Sequence, residues 1–187
     1  MLKQTCVLSS KIKIAAEPDK PALPERHVWF YTKYSCFTLR ALTRGSFQKF
    51  LVSMLSLEEI EETNVNSVEI EVFPIQGQKG HSVAGKCDTY RGRIHIYPKP
   101  VKFCTTFRKA FGRNILFTYA GNRARAALIH ELLHLKYADN EAKVRELTKH
   151  YFATYTKKQF ANKTVATSMY NLIFHAKQLK ATSRIRL

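Results

Sequence analysis

Residues 128–146, LIHELLHLKYADNEAKVRE, place two histidines and three glutamates in a stretch whose other residues predict a buried helix. Leu128, Leu132 and Leu135 fall in one narrow sector at ~100° per residue, and neighbouring aliphatic residues widen that apolar arc. Asn122, which follows a glycine, is predicted to cap the start of this helix. A helix that is apolar over most of its circumference usually lies at the centre of a fold, so this segment decides the architecture.

The same helix carries ionisable side chains that need partners. His130 and His134 are four residues apart, so they stand one above the other on one face, with Glu131 beside them. Burying two imidazoles and a carboxylate without partners costs several kcal/mol, and a zinc ion compensates for that cost. The spacing is the HExxH arrangement of zinc metallopeptidases, in which the glutamate acts as general base. The sequence therefore predicts Zn²⁺ held by His130 and His134, with Glu131 as the catalytic residue.

A catalytic zinc usually has three protein ligands, so a third is expected beyond the motif. Residues 138–140 read Ala-Asp-Asn and predict a turn that opens a second helix. On one unbroken helix Glu141 would lie ~10 Å along the axis from His134, but a turn would fold it back toward the metal. Glu141 is therefore predicted as the third ligand, with Glu146 and His150 as the alternatives.

HELLHLKY followed closely by NEAKVREL resembles the gluzincin metallopeptidases, over about residues 91–155. The short spacing and small size resemble the minigluzincins and related, mostly archaeal, HExxH proteins. The resemblance implies an endopeptidase that binds zinc through His130, His134 and Glu141, with Glu131 as base. Thermolysin-like members carry an aspartate four residues after the ligand glutamate. This chain has Arg145 there, so the hydrogen-bond partner of the first histidine is open.

The fold class expected from this resemblance is α+β. It implies a small zincin-like domain with an N-terminal helix, a short twisted sheet, the HExxH helix and a following glutamate helix, with extra terminal segments. Periodicity alone supports that order, because apolar spacing predicts a helix over 47–60 and alternation predicts strands within 67–75 and 91–98. A further strand is predicted at 115–120, and 76–87 is predicted to be a glycine-rich loop or turn.

Residues 92–97 have two interpretations. They form either an ordinary sheet strand or an edge strand over the cleft, with which a peptide substrate would pair as an added strand. His95 alternates toward the outer face and is expected to be a solvated histidine. Four side chains remain candidates for stabilising the oxyanion of a peptidase reaction: Tyr137, Tyr151, Tyr155 and His150.

The domain organisation predicted from composition has three parts. Residues 1–35, rich in Pro, Lys and Glu, are expected to form an irregular arm, 36–157 the zincin-like metallopeptidase domain, and 158–187 a basic C-terminal helix and tail. The resemblance implies a zymogen whose terminal segments occupy the cleft; alternatively, the C-terminal apolar residues complete the core. Without an export signal or a long apolar run, the expected location is cytoplasmic, with reduced thiols and no membrane partner.

The charge of the chain suggests a second class of function. Its formal net charge is +17, and residues 101–187 carry 17 basic against 4 acidic side chains. Such a field predicts weak, non-specific nucleic-acid binding beside a peptide or protein substrate. The alternative functions are a basic nucleic-acid or protein-binding module with a structural or vestigial zinc, and a SprT-like DNA-associated protease. The SprT-like family uses a third histidine, which this chain lacks just beyond the turn. The sequence does not specify an oligomeric state.

Overall fold

The computed structural model describes residues 7–16, 23–75, 82–160 and 163–174. These residues form an α+β fold of seven α-helices, a short 3-10 helix (Glu62–Asn64) and one four-stranded sheet. Within them, no helix combines the length and the apolar composition that crossing a bilayer requires. The helices are α1 (Val7–Lys11), α2 (Glu25–Leu42), α3 (Gly45–Leu57), α4 (Val101–Phe111), α5 (Arg113–Tyr137), α6 (Glu141–Gln159) and α7 (Lys163–Phe174); the strands are β1 (Ile12–Ile14), β2 (Ser67–Ile70), β3 (Gly85–Asp88) and β4 (Arg93–Ile96).

The sheet runs in the order β1-β2-β4-β3 and buries one face against the helices. β1, β2 and β4 are parallel, and β3 is antiparallel to β4. Val68 and Ile70 lie opposite Ile94 and Ile96, and all four side chains are buried. Because side chains alternate along a strand, the polar residues between them point to the other face. The strands predicted within 67–75 and 91–98 are confirmed.

The edge strand of the sheet beside α5 is β3, not the segment 92–97. β4 pairs with a strand on each side, so the edge-strand interpretation of 92–97 is wrong and the ordinary-strand interpretation is confirmed. The loop predicted over 76–87 is also wrong from Gly85 onward. β3 is held by its antiparallel partner rather than by β propensity. The connecting turn uses Gly92 at φ 57°, where a Cβ would lie 2.3 Å from the carbonyl oxygen of Asn64.

The central helix α5 begins earlier than predicted. It runs from Arg113 to Tyr137, so the strand predicted at 115–120 and the helix start predicted at Asn122 are wrong. Asn122 does not cap the helix; its Nδ2 donates to the carbonyl of Thr118 at 3.1 Å. Gly121 lies in mid-helix because α2 passes close by. A Cβ there would approach Ala41 Cβ to 3.0 Å.

The described terminal segments belong to the core. Leu8 and Ile12 are buried, and β1 extends the sheet, so the irregular arm predicted for 1–35 is wrong over 7–14. α2 also begins within that range. The predicted C-terminal helix is confirmed by α7, where Met169 and Leu172 are buried. This burial supports the interpretation that α7 completes the core, and the tail 175–187 lies outside the described residues.

Candidate metal centre

The metal centre lies where α5 ends and α6 begins. α5 ends at Tyr137 and α6 starts at Glu141, and the two helices pack against each other. Asn140 caps α6 by accepting a hydrogen bond from the backbone N–H of Lys143 at 3.1 Å. The turn predicted at 138–140 is therefore confirmed, and it carries the start of α6 back toward the end of α5.

Three side-chain atoms converge between these helices. Nε2 of His130 and Nε2 of His134 are 3.2 Å apart. Oε2 of Glu141 lies 3.3 Å from Nε2 of His134 and 3.7 Å from Nε2 of His130. The structure thus brings together all three residues that the sequence singled out as zinc ligands.

Hydrogen bonds at the other ring nitrogens fix which nitrogen of each histidine faces the centre. His134 Nδ1 lies 2.6 Å from the carbonyl oxygen of Ala138, which can only accept. His130 Nδ1 lies 3.2 Å from the hydroxyl of Thr148, whose proton is donated to the carbonyl of Val144 at 2.7 Å. Each Nδ1 is therefore the donor, so in the neutral form of each ring the lone pair of Nε2 faces the centre.

The donor set fits a tetrahedral zinc ion. At bond lengths of about 2.0–2.1 Å, the ligand atoms of such a site are about 3.3–3.4 Å apart. The observed separations of 3.2, 3.3 and 3.7 Å bracket that value. Two lone pairs and a carboxylate oxygen at these distances repel unless a positive charge lies among them. Burial lowers the pKa of His130, although the charge of Glu141 acts in the opposite direction. The lowered pKa favours the neutral imidazole that a metal requires.

Two residues of α6 complete the surroundings of the ligands. Arg145 Nε lies 2.5 Å from Oε1 of Glu141, which leaves Oε2 as the oxygen that faces the histidines. Arg145 therefore orients the third ligand and is not the partner of His130. That partner is Thr148, which sequence reasoning missed. Its position seven residues after Glu141 places it about two turns along α6, on the face toward α5.

The other candidate ligands are engaged elsewhere or exposed. Glu146 is exposed and lies 3.8 Å from Lys143 Nζ. His150 is exposed, and its ring packs edge-on against Tyr151. Neither belongs to the converging group.

Glu131 lies against β3 and is not one of the three converging ligands. It is buried, and a Cβ added to Gly85 would lie 2.7 Å from its Oε1. Burial raises the pKa of Glu131 to about 7, assisted by the charge of Glu141 and opposed by the backbone N–H of Cys87. A carboxyl group that titrates near neutral pH can both accept and release a proton there.

The backbone of β3 has an edge beside Glu131 that is not paired with another strand, although the N–H of Cys87 bonds to the Glu131 carboxylate. The N–H of Tyr97 donates to the carbonyl of Ala84 at 3.0 Å, which sets the alternation of the β3–β4 ladder. Lys86 then bonds to β4, while the N–H and C=O groups of Gly85 and Cys87 point away from it. In the part of the chain that the structure describes, no other strand pairs with this edge.

The tyrosines considered for oxyanion stabilisation have other partners. The hydroxyls of Tyr137 and Tyr151 both donate to the carboxylate of Glu58, which joins the end of α3 to α5 and α6. The hydroxyl of Tyr155 lies 3.4 Å from Oε1 of Gln159 on the same helix. These three side chains therefore stabilise the packing of α6 rather than face the metal centre.

A second group of His and Glu side chains lies on the outer face of the sheet. Ligand atoms of Glu69, Glu71 and His95 lie within 4.8 Å of one another. His95 Nδ1 is 2.8 Å from Oε1 of Glu71, so this histidine is half-buried and paired rather than solvated. Lys13 lies 3.7 Å from Glu69 and supplies positive charge to the group. The sequence did not reveal this network, in which the hydrogen bond between His95 and Glu71 and the charge of Lys13 partner both carboxylates.

The candidate centre combines a donor set that fits a divalent cation, a carboxyl group whose pKa burial raises to about 7, and an open strand edge. No protein-family model, curated protein or solved structure matches this chain. The chemistry of the centre therefore has to follow from its own residues.

Proposed function

We propose that this chain is a zinc-dependent peptide-bond hydrolase with a zincin-like fold, similar to the minigluzincins. The observation that carries the proposal is the convergence of Nε2 of His130, Nε2 of His134 and Oε2 of Glu141 within 3.7 Å of one another. A carboxylate as third ligand favours a gluzincin-type centre over the SprT-like alternative, which uses a third histidine.

The side chains around the centre suit hydrolysis. A zinc ion held by His130, His134 and Glu141 would supply Lewis acidity, which polarises a scissile carbonyl and lowers the pKa of water to about 7. Glu131 accepts a proton from the attacking water and passes it to the departing amine. Burial raises the pKa of Glu131 in the metal-free centre, and a raised pKa makes its carboxylate a stronger proton acceptor.

The substrate class follows from the edge strand. An extended peptide can pair with the N–H and C=O groups of Gly85 and with the C=O group of Cys87, which lie beside Glu131. Main-chain pairing selects an unfolded or extended segment and does not require a chain end. We therefore propose an endopeptidase acting on peptides or unfolded protein.

A cytoplasmic location is part of the same proposal. Cys36, Cys87 and Cys104 are free thiols, which is the usual state in a reducing compartment. Inhibition by the chain's own tail stays a prediction, because residues beyond Phe174 lie outside the described part.

The test measures metal content and hydrolysis in the same preparations. Mass spectrometry should find close to one zinc per chain in the wild type and very little in His134→Ala. Glu141→Ala should bind zinc weakly, whereas the matched control Glu146→Ala should bind it normally. Glu131→Gln should keep the zinc but lose cleavage of an unfolded protein substrate.

Two results would contradict the proposal. Equal zinc content in the wild type and His134→Ala would remove the metal centre. The hydrolase proposal would also be wrong if a broad peptide library stays uncleaved by two folded, zinc-loaded proteins: the wild type and a variant truncated after Phe174.

A further inference from the structure

A surface formed by α2 and α5 combines the exposed ring of Trp29, the half-buried rings of Phe37 and Phe117, and exposed basic side chains. On α2, residues 29, 33, 37 and 40 lie close to one helical stripe about 16 Å long. The side chain of Trp29 on this stripe is 60% exposed, which is unusual for so large an aromatic ring. We define the α2–α5 patch as Trp29, Lys33, Phe37 and Arg40 of α2 with Arg113 and Phe117 of α5.

Contacts within the patch interleave charges with rings. Nζ of Lys33 lies 4.7 Å from the centroid of the Trp29 ring. The guanidinium of Arg113 lies 5.7 Å from the centroid of Phe117, and the rings of Phe117 and Phe37 are tilted, with centroids 5.1 Å apart. A groove of about 350 Å³ runs between the two helices, lined by Thr32, Lys33, Cys36, Phe37, Arg40 and Phe117.

The acidic residues of the chain are kept away from this region of the sequence. Residues 26–57, which include nearly all of α2, carry five Lys and Arg and no Asp or Glu. Residues 89–130, which include α4 and most of α5, carry nine Lys and Arg and again no Asp or Glu. α2 and α4 both pack on α5, and neither of these two segments contributes an acidic side chain to the patch.

We propose that the α2–α5 patch binds single-stranded nucleic acid without reading its sequence. Bases stack on Trp29 and on the ring pair of Phe37 and Phe117, while the cations of Lys33, Arg40 and Arg113 pair with phosphates. Stacking on aromatic side chains beside basic ones is how proteins bind single strands non-specifically, because every base has a π face. A duplex hides those faces and should bind less well.

The patch is separate from the metal centre. Phe117 and His130 are thirteen residues apart on α5, which is about 20 Å along the helix axis. Nucleic-acid binding at the patch therefore needs neither zinc nor peptide hydrolysis. It should persist in His134→Ala and in the presence of EDTA, so its failure and that of the proposed hydrolase are distinguishable.

The fluorescence of Trp29 gives a direct readout, because it is the only tryptophan in the chain. Titration of the full-length protein with a single-stranded thymidine oligonucleotide should quench this fluorescence, and added salt should weaken binding steeply. Trp29→Leu should reduce affinity for a labelled oligonucleotide by about 10-fold, a typical effect of losing one stacked base.

Matched charge variants locate the interaction. Lys33→Glu, Arg40→Glu and Arg113→Glu together should reduce affinity more than 10-fold beyond the loss in a control triple variant. The control changes Lys149, Lys157 and Lys158 of α6 to Glu and so lowers the net charge by the same amount; all six residues are exposed. Circular dichroism checks that both variants are folded.

Three outcomes would overturn the proposal. Equal losses in the two triple variants would mean that net charge alone binds the strand. Equal affinity for poly-glutamate, with equal quenching, would identify an acidic polymer site without base stacking. An oligonucleotide that binds without changing Trp29 fluorescence would place the contact elsewhere.

Discussion

Replacing Thr148 by valine is expected to weaken zinc binding by about 10–100-fold without unfolding the protein. The Thr148 hydroxyl accepts from Nδ1 of His130 at 3.2 Å and donates to the carbonyl of Val144 at 2.7 Å. Valine has a similar shape but no acceptor, so the His130 ring loses the bond that fixes its tautomer and orientation. Losing such a bond behind a metal ligand typically costs 10–100-fold in affinity, or about 1.4–2.8 kcal/mol.

Thr156→Val is the matched control for that experiment. Thr156 is also buried on α6, and its hydroxyl donates to the carbonyl of Phe152 at 3.0 Å, four residues earlier. Its other partner is the carbonyl of Ala153 rather than a metal ligand. Competition with a chromophoric chelator at neutral pH measures the zinc affinity of each variant. If Thr148→Val binds zinc as tightly as Thr156→Val while both are folded, Thr148 does not orient His130.

Three further predictions follow from other parts of the structure. Gly85→Ala should lower peptide hydrolysis about 100-fold with zinc retained, because the alanine Cβ would displace the general base Glu131. Gly45→Ala is the control, since a Cβ at Gly45 meets open space and should leave the rate unchanged. Equal hydrolysis rates in the two variants would refute this prediction. Burial raises the pKa of Glu58, but hydrogen bonds from two tyrosines and a nearby lysine hold it below its usual value. Glu58→Gln should therefore cost about 1–3 kcal/mol in urea unfolding at pH 7, and this difference should shrink below about pH 4, as the wild-type carboxylate is protonated; a pH-independent difference would argue against it. Truncation after Lys158 should lower the melting temperature by about 10 °C or more relative to truncation after Phe174, since only the shorter chain loses the buried α7 residues. Similar melting curves for the two variants would show that α7 is dispensable.

The convergence of His130, His134 and Glu141 was predictable because its signals are local. Residues 128–146 contain all of them: two histidines four residues apart on an apolar helix, a turn, and a glutamate in the first turn of the following helix. Thr148 was not predictable in the same way. Its role depends on how α6 rotates against α5, and a buried threonine on a helix has no distinctive spacing.

The sheet edge and the start of α5 were mispredicted because they depend on distant partners. Gly85-Lys-Cys-Asp has little β propensity and becomes a strand through β4. Residues 115–120 contain Ile, Phe and Tyr, which favour a strand locally. In the fold these residues are helical and belong to α5, which packs against α2. Gly121 suggested a break in the chain, yet it allows α2 to approach closely. Single-sequence patterns do not contain that tertiary information.

The bond from Arg145 to Glu141 has a consequence for which ions the protein can accept. With Oε1 occupied by the guanidinium, the carboxylate offers one oxygen beside two imidazole nitrogens. Calcium needs six to eight oxygen ligands, and magnesium needs an octahedron of oxygens, so both ions are poorly served by two nitrogens and one oxygen. Borderline-soft ions that accept imidazole in a four-coordinate shell are well served. In the proposed centre, Arg145 would thus add to the preference that the two imidazoles set against hard cations, without contacting the ion itself.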